Sequence, residues 1–304
     1  MVRANLYIGL GGSGVKTVDL IKQHVSSSDN SHNATSAFLA IDTDMISLDN
    51  CKFISSREFV NISIEHPYER YIIDKERYDI PDKNINDLMG LRSLGSGAIR
   101  SNGHFCFLFN KDIIKEVILH AYNVLFAVRS TDEFHRIDGI SVHLFFSLCG
   151  GTGSGVFYDV ANLVKQIIPD SCITYYVFSN SYFRMGNPHF FTRLKANTYA
   201  SLFELNNMPF LHNRFIYIDN KYYTGEAASK STCYGIDDLI MRSIEKTYGA
   251  SLFLDYPSDE RILDFESFET IETIVNNKYY SPFSTCVFEN IYNNMLHNGN
   301  GRVY

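Results

Sequence analysis

The 304-residue sequence lacks tryptophan, an excess of basic residues and any long apolar run. Its formal charge of −7 argues against a protein that binds nucleic acid or an anionic membrane, because such proteins usually carry a basic excess. No apolar run approaches the roughly 18–20 residues that a helix needs to cross a bilayer. We therefore expect no nucleic-acid partner and no membrane insertion.

Cysteine is present, but in no pattern that binds zinc or builds a disulfide framework. The six cysteines are scattered, with no CxxC pair and no Cys/His cluster. The N-terminal residues 1–14 pass from a short apolar stretch directly into glycines, which is unlike a signal peptide and typical of a first strand. The sequence therefore predicts reduced thiols and a cytoplasmic location.

The chain also lacks a GxxxxGK[ST] motif, so it is not a P-loop NTPase, yet it contains three glycine-rich loops. The most distinctive is CGGTGSG at residues 149–155, between an apolar run at 140–148 and a helical pattern of apolar residues at 156–167. A glycine-rich turn between a strand and a helix N-terminus presents backbone N–H groups to an anion. The alternative interpretation is a tight turn without a ligand.

The other two glycine loops lie at residues 9–14 and 95–103. Strands predicted at 6–9 and 37–41 flank a helical pattern, and similar units follow along the chain. Four to five parallel strands interleaved with helices predict a doubly wound, mostly parallel α/β sheet with helices on both faces. Ligands bind such sheets at the carboxyl ends of the strands, where all three loops fall.

The same periodicities predict the remaining elements. Residues 95–104 are predicted as a loop and 112–128 as a helix. Residues 191–205 are predicted as a helix and 255–264 as a polar loop.

The first loop also permits a different interpretation. Gly9-x-Gly11-x-x-Gly14 follows a predicted strand and matches the dinucleotide fingerprint, with Asp42 placed to hold a ribose hydroxyl. This pattern explains one glycine loop and leaves the loops at 95–103 and 149–155 without a role. An NAD(P)-dependent Rossmann enzyme is therefore the remote alternative.

Taken in series, the three loops resemble those of the tubulin/FtsZ superfamily. Residues 149–155 look like the tubulin signature GGGTGSG, with Cys149 in place of the first glycine. Residues 95–104 are similar to the tubulin loop GAGNNWAKGH in spacing and in the closing Gly-His. AIDTD at 40–44 resembles AINTD of FtsZ, and IDN at 218–220 resembles CIDN of tubulin.

This resemblance implies a bacterial tubulin-like domain that binds GTP or GDP with Mg²⁺. The loops would hold the phosphates through backbone N–H groups. The implied phosphate-binding residues are Gly11, Gly12, Ser13, Gly14, Gly95, Ser96, Gly97, Gly150, Gly151, Thr152, Gly153, Ser154 and Gly155. Asp42 and Asp44 would approach Mg²⁺, with turn-capping carboxylates as the alternative.

The resemblance also implies how the base is recognised. Tyr234 would stack on it, and Asp238, one helical turn later, would accept from two guanine N–H groups that adenine does not offer. Asn220 would complete the recognition with its amide. Arg100 is a candidate contact to the γ-phosphate or a neighbouring subunit. His104 is expected to be a loop histidine, with a phosphate contact as the alternative.

By the same resemblance, residues 1–235 form the guanine-nucleotide-binding domain. Residues 236–304 form a central helix, a catalytic-type loop and a short helical C-terminal segment, with the family's second domain reduced or absent. In the family, a loop with NxDxxD from the next subunit polarises the attacking water. Here Asp264 matches that loop, Ser267 stands where the second acid is expected, and Glu266 is the nearest carboxylate. The acids of residues 255–260 are the alternative source of the water-activating group.

The implied function is therefore a GTPase that assembles head to tail or acts as a nucleotide-dependent switch. The alternative is a non-hydrolysing GTP- or GDP-binding module that controls a protein partner, which Ser267 favours.

Overall fold

The computed structural model describes residues 2–27, 35–78, 88, 95–129, 137–178, 193–194, 196–198, 200–201, 204–205, 213–218 and 262–265. The strands are β1 (Val2–Leu10), β2 (Ser36–Asp42), β3 (Phe59–Asn61), β4 (Ile137–Ser147), β5 (Cys172–Phe178), β6 (Asn213–Ile218) and β7 (Ile262–Phe265). The helices are α1 (Gly11–Ser27), α2 (Ile46–Asp49), α3 (Pro67–Asp74), α4 (Arg100–Arg129) and α5 (Thr152–Ile167). No described helix is both long and apolar enough to cross a membrane.

The strands form one sheet in the order β3-β2-β1-β4-β5-β6-β7. Every neighbouring pair is parallel except β6 and β7, which are antiparallel. From β1 the chain builds toward one edge through β2 and β3, and then returns to place β4 on the other side of β1. The order therefore reverses between β1 and β4, and a crevice at their carboxyl ends is the usual ligand position of such sheets.

Helices cover both faces of the sheet, and the central strands are therefore buried on both sides. In β1 the side chains alternate: Leu6 and Ile8 belong to the larger hydrophobic cluster, whereas Tyr7 belongs to a smaller cluster with Val15 and Val18 of α1. The predicted doubly wound, mostly parallel α/β sheet is confirmed.

Helix α4 begins earlier than the sequence predicts. The sequence predicts a loop at residues 95–104, but the helix begins at Arg100 and contains both Gly103 and His104. A Cβ on Gly103 would lie 3.0 Å from the Cα of Thr152, so this glycine permits a close approach of α4 to the 149–155 loop. The expectation was wrong because a glycine that allows helix packing resembles, in sequence, a glycine that breaks a helix.

Two later elements also bear on the predictions. The described residues between 193 and 205 are helical, which agrees with the helix predicted at 191–205. The polar loop predicted at 255–264 is wrong for its last residues, because β7 begins at Ile262 and pairs Asp264 with Ile216 of β6. Apolar residues of high strand propensity around Asp264 account for the strand.

Candidate functional site

A cleft of about 210 Å³ opens at the carboxyl ends of β1, β2 and β4, where the three glycine loops meet. Its lining consists of Leu10, Gly11, Gly12, Ser13, Asp42, Asp44, Ser47, Gly95, Ser96, Gly97, Ala98, Ser147, Gly150, Gly151, Thr152 and Gly153. The structure therefore brings together residues from three loops that are far apart in the sequence, with both candidate metal ligands beside them.

The first loop is the turn from β1 into α1. Gly11 has a φ of +70°, and a Cβ there would lie 2.9 Å from the backbone nitrogen of Gly153. The turn thus needs glycine both for its left-handed backbone and for its closeness to the 149–155 loop. Gly12 and Ser13 line the cleft, whereas Gly14 packs against the carbonyl of Phe145, behind the lining.

The 149–155 loop leads from β4 into α5, which begins at Thr152. A Cβ on Gly151 would collide with the Ser96 hydroxyl and lie 2.8 Å from the backbone nitrogen of Ile99. Ser154 is fully buried and donates its hydroxyl hydrogen to the Gly150 carbonyl, and Gly155 packs against the Arg100 carbonyl. Residues 150–153 therefore line the cleft, and Ser154 and Gly155 support the loop from behind.

The third loop, residues 95–99, is joined by hydroxyl groups to the 149–155 loop and, through it, to the segment that follows β2. The Thr152 hydroxyl lies 3.1 Å from that of Ser96 and 2.6 Å from that of Thr43, and all three side chains are buried. Ala98 adopts a left-handed backbone with a φ of 57°, which is uncommon for a residue with a side chain. A short hydrogen-bonded chain thus fixes the spacing of the three segments around the cleft.

Two carboxylates stand on one side of the cleft. Asp42, at the end of β2, is buried and accepts hydrogen bonds from the Thr43 N–H (2.7 Å) and the Ser47 hydroxyl (2.6 Å). Burial raises the pKa of Asp42 above its usual value. Asp44 accepts from the Ile46 N–H at 3.0 Å.

Ser47 also lines the cleft. Sequence reasoning missed it because it lies in a four-residue helix without a motif. In the part of the chain that the structure describes, no group of three or more His, Cys, Asp or Glu side chains gathers as a metal cluster would.

The residues described around the cleft include no lysine or arginine. Arg100, a candidate phosphate contact, is buried and donates instead to the Ser154 carbonyl (2.7 Å) and to Glu204 (2.5 Å). His104 is not a loop histidine, because it lies in α4 with Nδ1 3.0 Å from a carboxylate oxygen of Asp159. Attraction for an anion would therefore come from backbone N–H groups and from the N-termini of α1 and α5.

The remaining candidate residues lie away from the cleft or outside the described residues. Asp264 is in β7, three strand positions from β4, which corresponds to about 14 Å at the usual strand spacing. Asn220, Tyr234, Asp238 and Glu266 lie outside the described residues.

The fold and the cleft define a class: a doubly wound α/β domain whose three glycine loops meet at the switch point of the sheet, without a P-loop lysine. Comparison with protein families gives the particular assignment. The family model described as "Tubulin like" matches residues 6–239, and the chain belongs to this family. A comparison of the sequence with curated proteins gives no match.

Solved structures show the same fold at low sequence identity. CetZ from Methanosaeta thermophila matches with a TM-score of 0.54 and 18% identity, over 84% of this chain and 57% of that chain. The GTPγS-bound protofilament of CetZ2 from Haloferax volcanii matches with a TM-score of 0.51 and 15% identity, over 90% and 63% of the two chains. This chain thus spans about three fifths of the length of these structures, and the tubulin/FtsZ fold is shown.

Proposed function

We propose that this protein binds a guanine nucleotide, GTP or GDP, with its phosphates in the three-loop cleft. The observation that carries the proposal is the convergence of the loops at 11–14, 95–99 and 149–155 on one cleft. The Gly155 N–H donates to the Gly151 carbonyl, so the N–H groups that precede it in α5 have no carbonyl of their own helix to bind. Such groups at a helix N-terminus bind phosphate oxygens well.

The volume of the cleft suits the phosphate end of the ligand. Pockets that hold a whole ligand usually measure about 300–1,000 Å³, and the cleft measures about 210 Å³. We therefore assign the described cleft to the phosphates. We assign recognition of the base to Asn220, Tyr234 and Asp238, through the stacking and hydrogen bonds described above.

The carboxylates fit a magnesium ion that accompanies the phosphates. Mg²⁺ prefers oxygen ligands and usually keeps several waters, so one or two carboxylates with phosphate oxygens complete its shell. Asp42 and Asp44 supply such oxygens beside a cleft that offers no basic side chain among its described residues. When bound, the ion would neutralise part of the phosphate charge.

We further propose that the protein is a cytoplasmic GTPase that assembles head to tail or acts as a nucleotide-dependent switch. Asp264, about three strand spacings from β4, is too far to act in the cleft of its own chain, which suits a group that completes a neighbour's site. Asp264 and Glu266 of one subunit would then orient a water for the nucleotide of the next, and catalysis would consist mainly of positioning and charge stabilisation. The protofilament of CetZ2 supports this arrangement by fold similarity.

A second candidate is a non-hydrolysing module whose occupancy by GTP or GDP controls a protein partner. It is favoured by Ser267, which stands where the resemblance places the second acid and cannot act as a carboxylate base.

Phosphate release from GTP, measured over a range of protein concentrations, separates the two candidates. A GTPase whose site is completed by a neighbour should release phosphate at a rate that rises more than linearly with concentration, and ATP should be a poor substrate. Asp264→Asn should lower the rate at least tenfold while GTP affinity stays within about twofold. GTP binding without phosphate release at any concentration would favour the non-hydrolysing module.

A further inference from the structure

The back of the phosphate loops is covered by polar side chains from one distant segment. The described residues 193–194, 196–198, 200–201 and 204–205 are helical, and we refer to them as the segment 193–205. Positions 197, 201 and 204 follow helical spacing and share one face of this segment. We call Asn197, Ser201 and Glu204 the loop clamp.

Asn197 makes the central contacts of the loop clamp. Its side-chain nitrogen Nδ2 donates to the carbonyls of Ala98 (2.8 Å), Cys149 (2.9 Å) and Gly150 (3.2 Å). The side chain is 6% exposed, so its amide is withdrawn from solvent and committed to these carbonyls. One amide thereby bridges two of the three glycine loops.

The other two members of the loop clamp extend the contact along the same helical face. The Ser201 hydroxyl donates to the Leu148 carbonyl at 3.1 Å. Glu204 accepts from Arg100, whose guanidinium also donates to the Ser154 carbonyl at 2.7 Å. The segment 193–205 therefore holds the Leu148 carbonyl directly and the Ser154 carbonyl through Arg100.

The loop clamp determines where the backbone N–H groups of the turn point. In a trans peptide the C=O and the following N–H point in opposite directions. When Asn197 holds the carbonyls of Cys149 and Gly150, the N–H groups of Gly150 and Gly151 point away from Asn197. Both glycines line the cleft and Asn197 does not, so that direction is the cleft side.

We propose that Asn197 is a positioning residue for phosphate binding: it holds the carbonyls of Cys149 and Gly150 back so that the N–H groups of Gly150 and Gly151 face the bound anion. This inference rests on the proposed guanine-nucleotide site and adds to it a residue that does not line the cleft. An unheld loop can turn a carbonyl oxygen toward the cleft, where it repels a phosphate.

The test compares the affinities of the full chain for GTP and for GMP with Mg²⁺, by calorimetric titration. GMP lacks the β- and γ-phosphates, so a role in phosphate positioning lowers the ratio of the two affinities, whereas a general loss of stability lowers both together. Asn197→Ala removes the donor, and we expect the GTP-to-GMP ratio to fall about tenfold, as the loss of one to three hydrogen bonds would give.

Thr198→Val is the matched control. The Thr198 side chain is also fully buried in the same segment, but among the described residues its hydroxyl donates to the Leu194 carbonyl alone, four positions earlier, at 2.9 Å. We expect its GTP-to-GMP ratio to stay within about twofold of the wild-type value. If Asn197→Ala does not fold, Asn197→Leu keeps the side-chain volume without a donor and replaces it in the same titration.

An unchanged ratio in the Asn197 variant, or an equal fall in Thr198→Val, would overturn the positioning role while leaving the guanine-nucleotide site intact. A wild-type chain that binds neither GTP nor GDP would overturn the proposed function, and this inference with it.

Discussion

The two strand-turn-helix units at the centre of the sheet, β1 with α1 and β4 with α5, are similar in form but differ in what supports their turns. Each turn has a glycine packed on a carbonyl of the neighbouring unit: Gly14 on Phe145, and Gly153 on Leu10, where a Cβ would lie 2.6 Å away. Among the described residues, donors of the loop clamp also hold the second turn from behind, and they do not contact the first. The shape of the first turn depends on close packing, and that of the second on packing and on distant side chains.

The largest expected effect tests the feature that the two units share. Gly14→Ala and Gly153→Ala each place a methyl group against backbone, and we expect each to lower the free energy of unfolding by about 3 kcal/mol. Gly12→Ala is the control, because a Cβ there meets nothing closer than 3.6 Å, and its effect should stay within about 0.5 kcal/mol. Urea unfolding measures all three, and equal midpoints for Gly14→Ala and Gly12→Ala would contradict the packing argument.

The next expected effect is a difference between the two units in how the pH changes their contribution to stability. Tyr7 of β1 and His143 of β4 are partners in register with ring centroids 5.0 Å apart. Burial lowers the pKa of His143 from 6.5 to about 3, whereas burial raises the pKa of Tyr7, which stays neutral in acid. Between pH 6.5 and about pH 3, His143 binds a proton in the unfolded chain but not in the folded chain. The free energy of unfolding therefore falls as the pH falls through this range.

From pH 7 to pH 5 this difference should lower the free energy of unfolding by about 2 kcal/mol. His143→Gln should remove that part of the pH dependence, and Tyr7→Phe should retain it. The measurement is urea unfolding at a series of pH values. A His143→Gln profile parallel to that of the wild type would show that this histidine does not make the second unit acid-sensitive.

The smallest expected effect tests whether the loop clamp stabilises the second turn alone. The Gly150 carbonyl accepts from both Ser154 and Asn197, so removing both donors should cost more than the sum of the single losses, by about 1 kcal/mol. In the first unit, Thr17 donates to the Ser13 carbonyl within α1, at 2.7 Å.

The combination of Thr17→Val with Asn197→Ala should therefore be additive within about 0.5 kcal/mol. Urea unfolding of the single and double variants measures the coupling energy of Asn197 with Ser154 and that of Asn197 with Thr17. Equal coupling energies would mean that the loop clamp stabilises the whole domain and not one turn.

The difference between the two turns also explains how much of the structure could be predicted from the sequence. The first turn is local: a strand, glycines and a helical pattern follow one another, so residues 9–14 were sufficient to place it. The mostly parallel sheet followed from the same local patterns. The support of the second turn is not local, because Asn197 lies 47 residues from Gly150 and has no motif around it.

Position within a loop was also not predictable. Gly14, Ser154 and Gly155 belong to the glycine motifs as fully as Gly12 or Gly153, yet they face away from the cleft. Composition alone does not tell a glycine that lines a site from one that allows two backbones to approach. The charged candidate Arg100 was misplaced for a similar reason, because its partner Glu204 is more than a hundred residues away.

The central claim, that the three-loop cleft holds the phosphates of a guanine nucleotide, is tested most directly by the nucleotide that the protein carries. The full chain is purified without added nucleotide, unfolded, and the released small molecules are separated by ion-exchange chromatography beside standards. We predict GDP or GTP, with empty chains taking up either one on titration with Mg²⁺. Release of a nicotinamide dinucleotide, or a chain that neither carries nor takes up GTP or GDP, would contradict the claim.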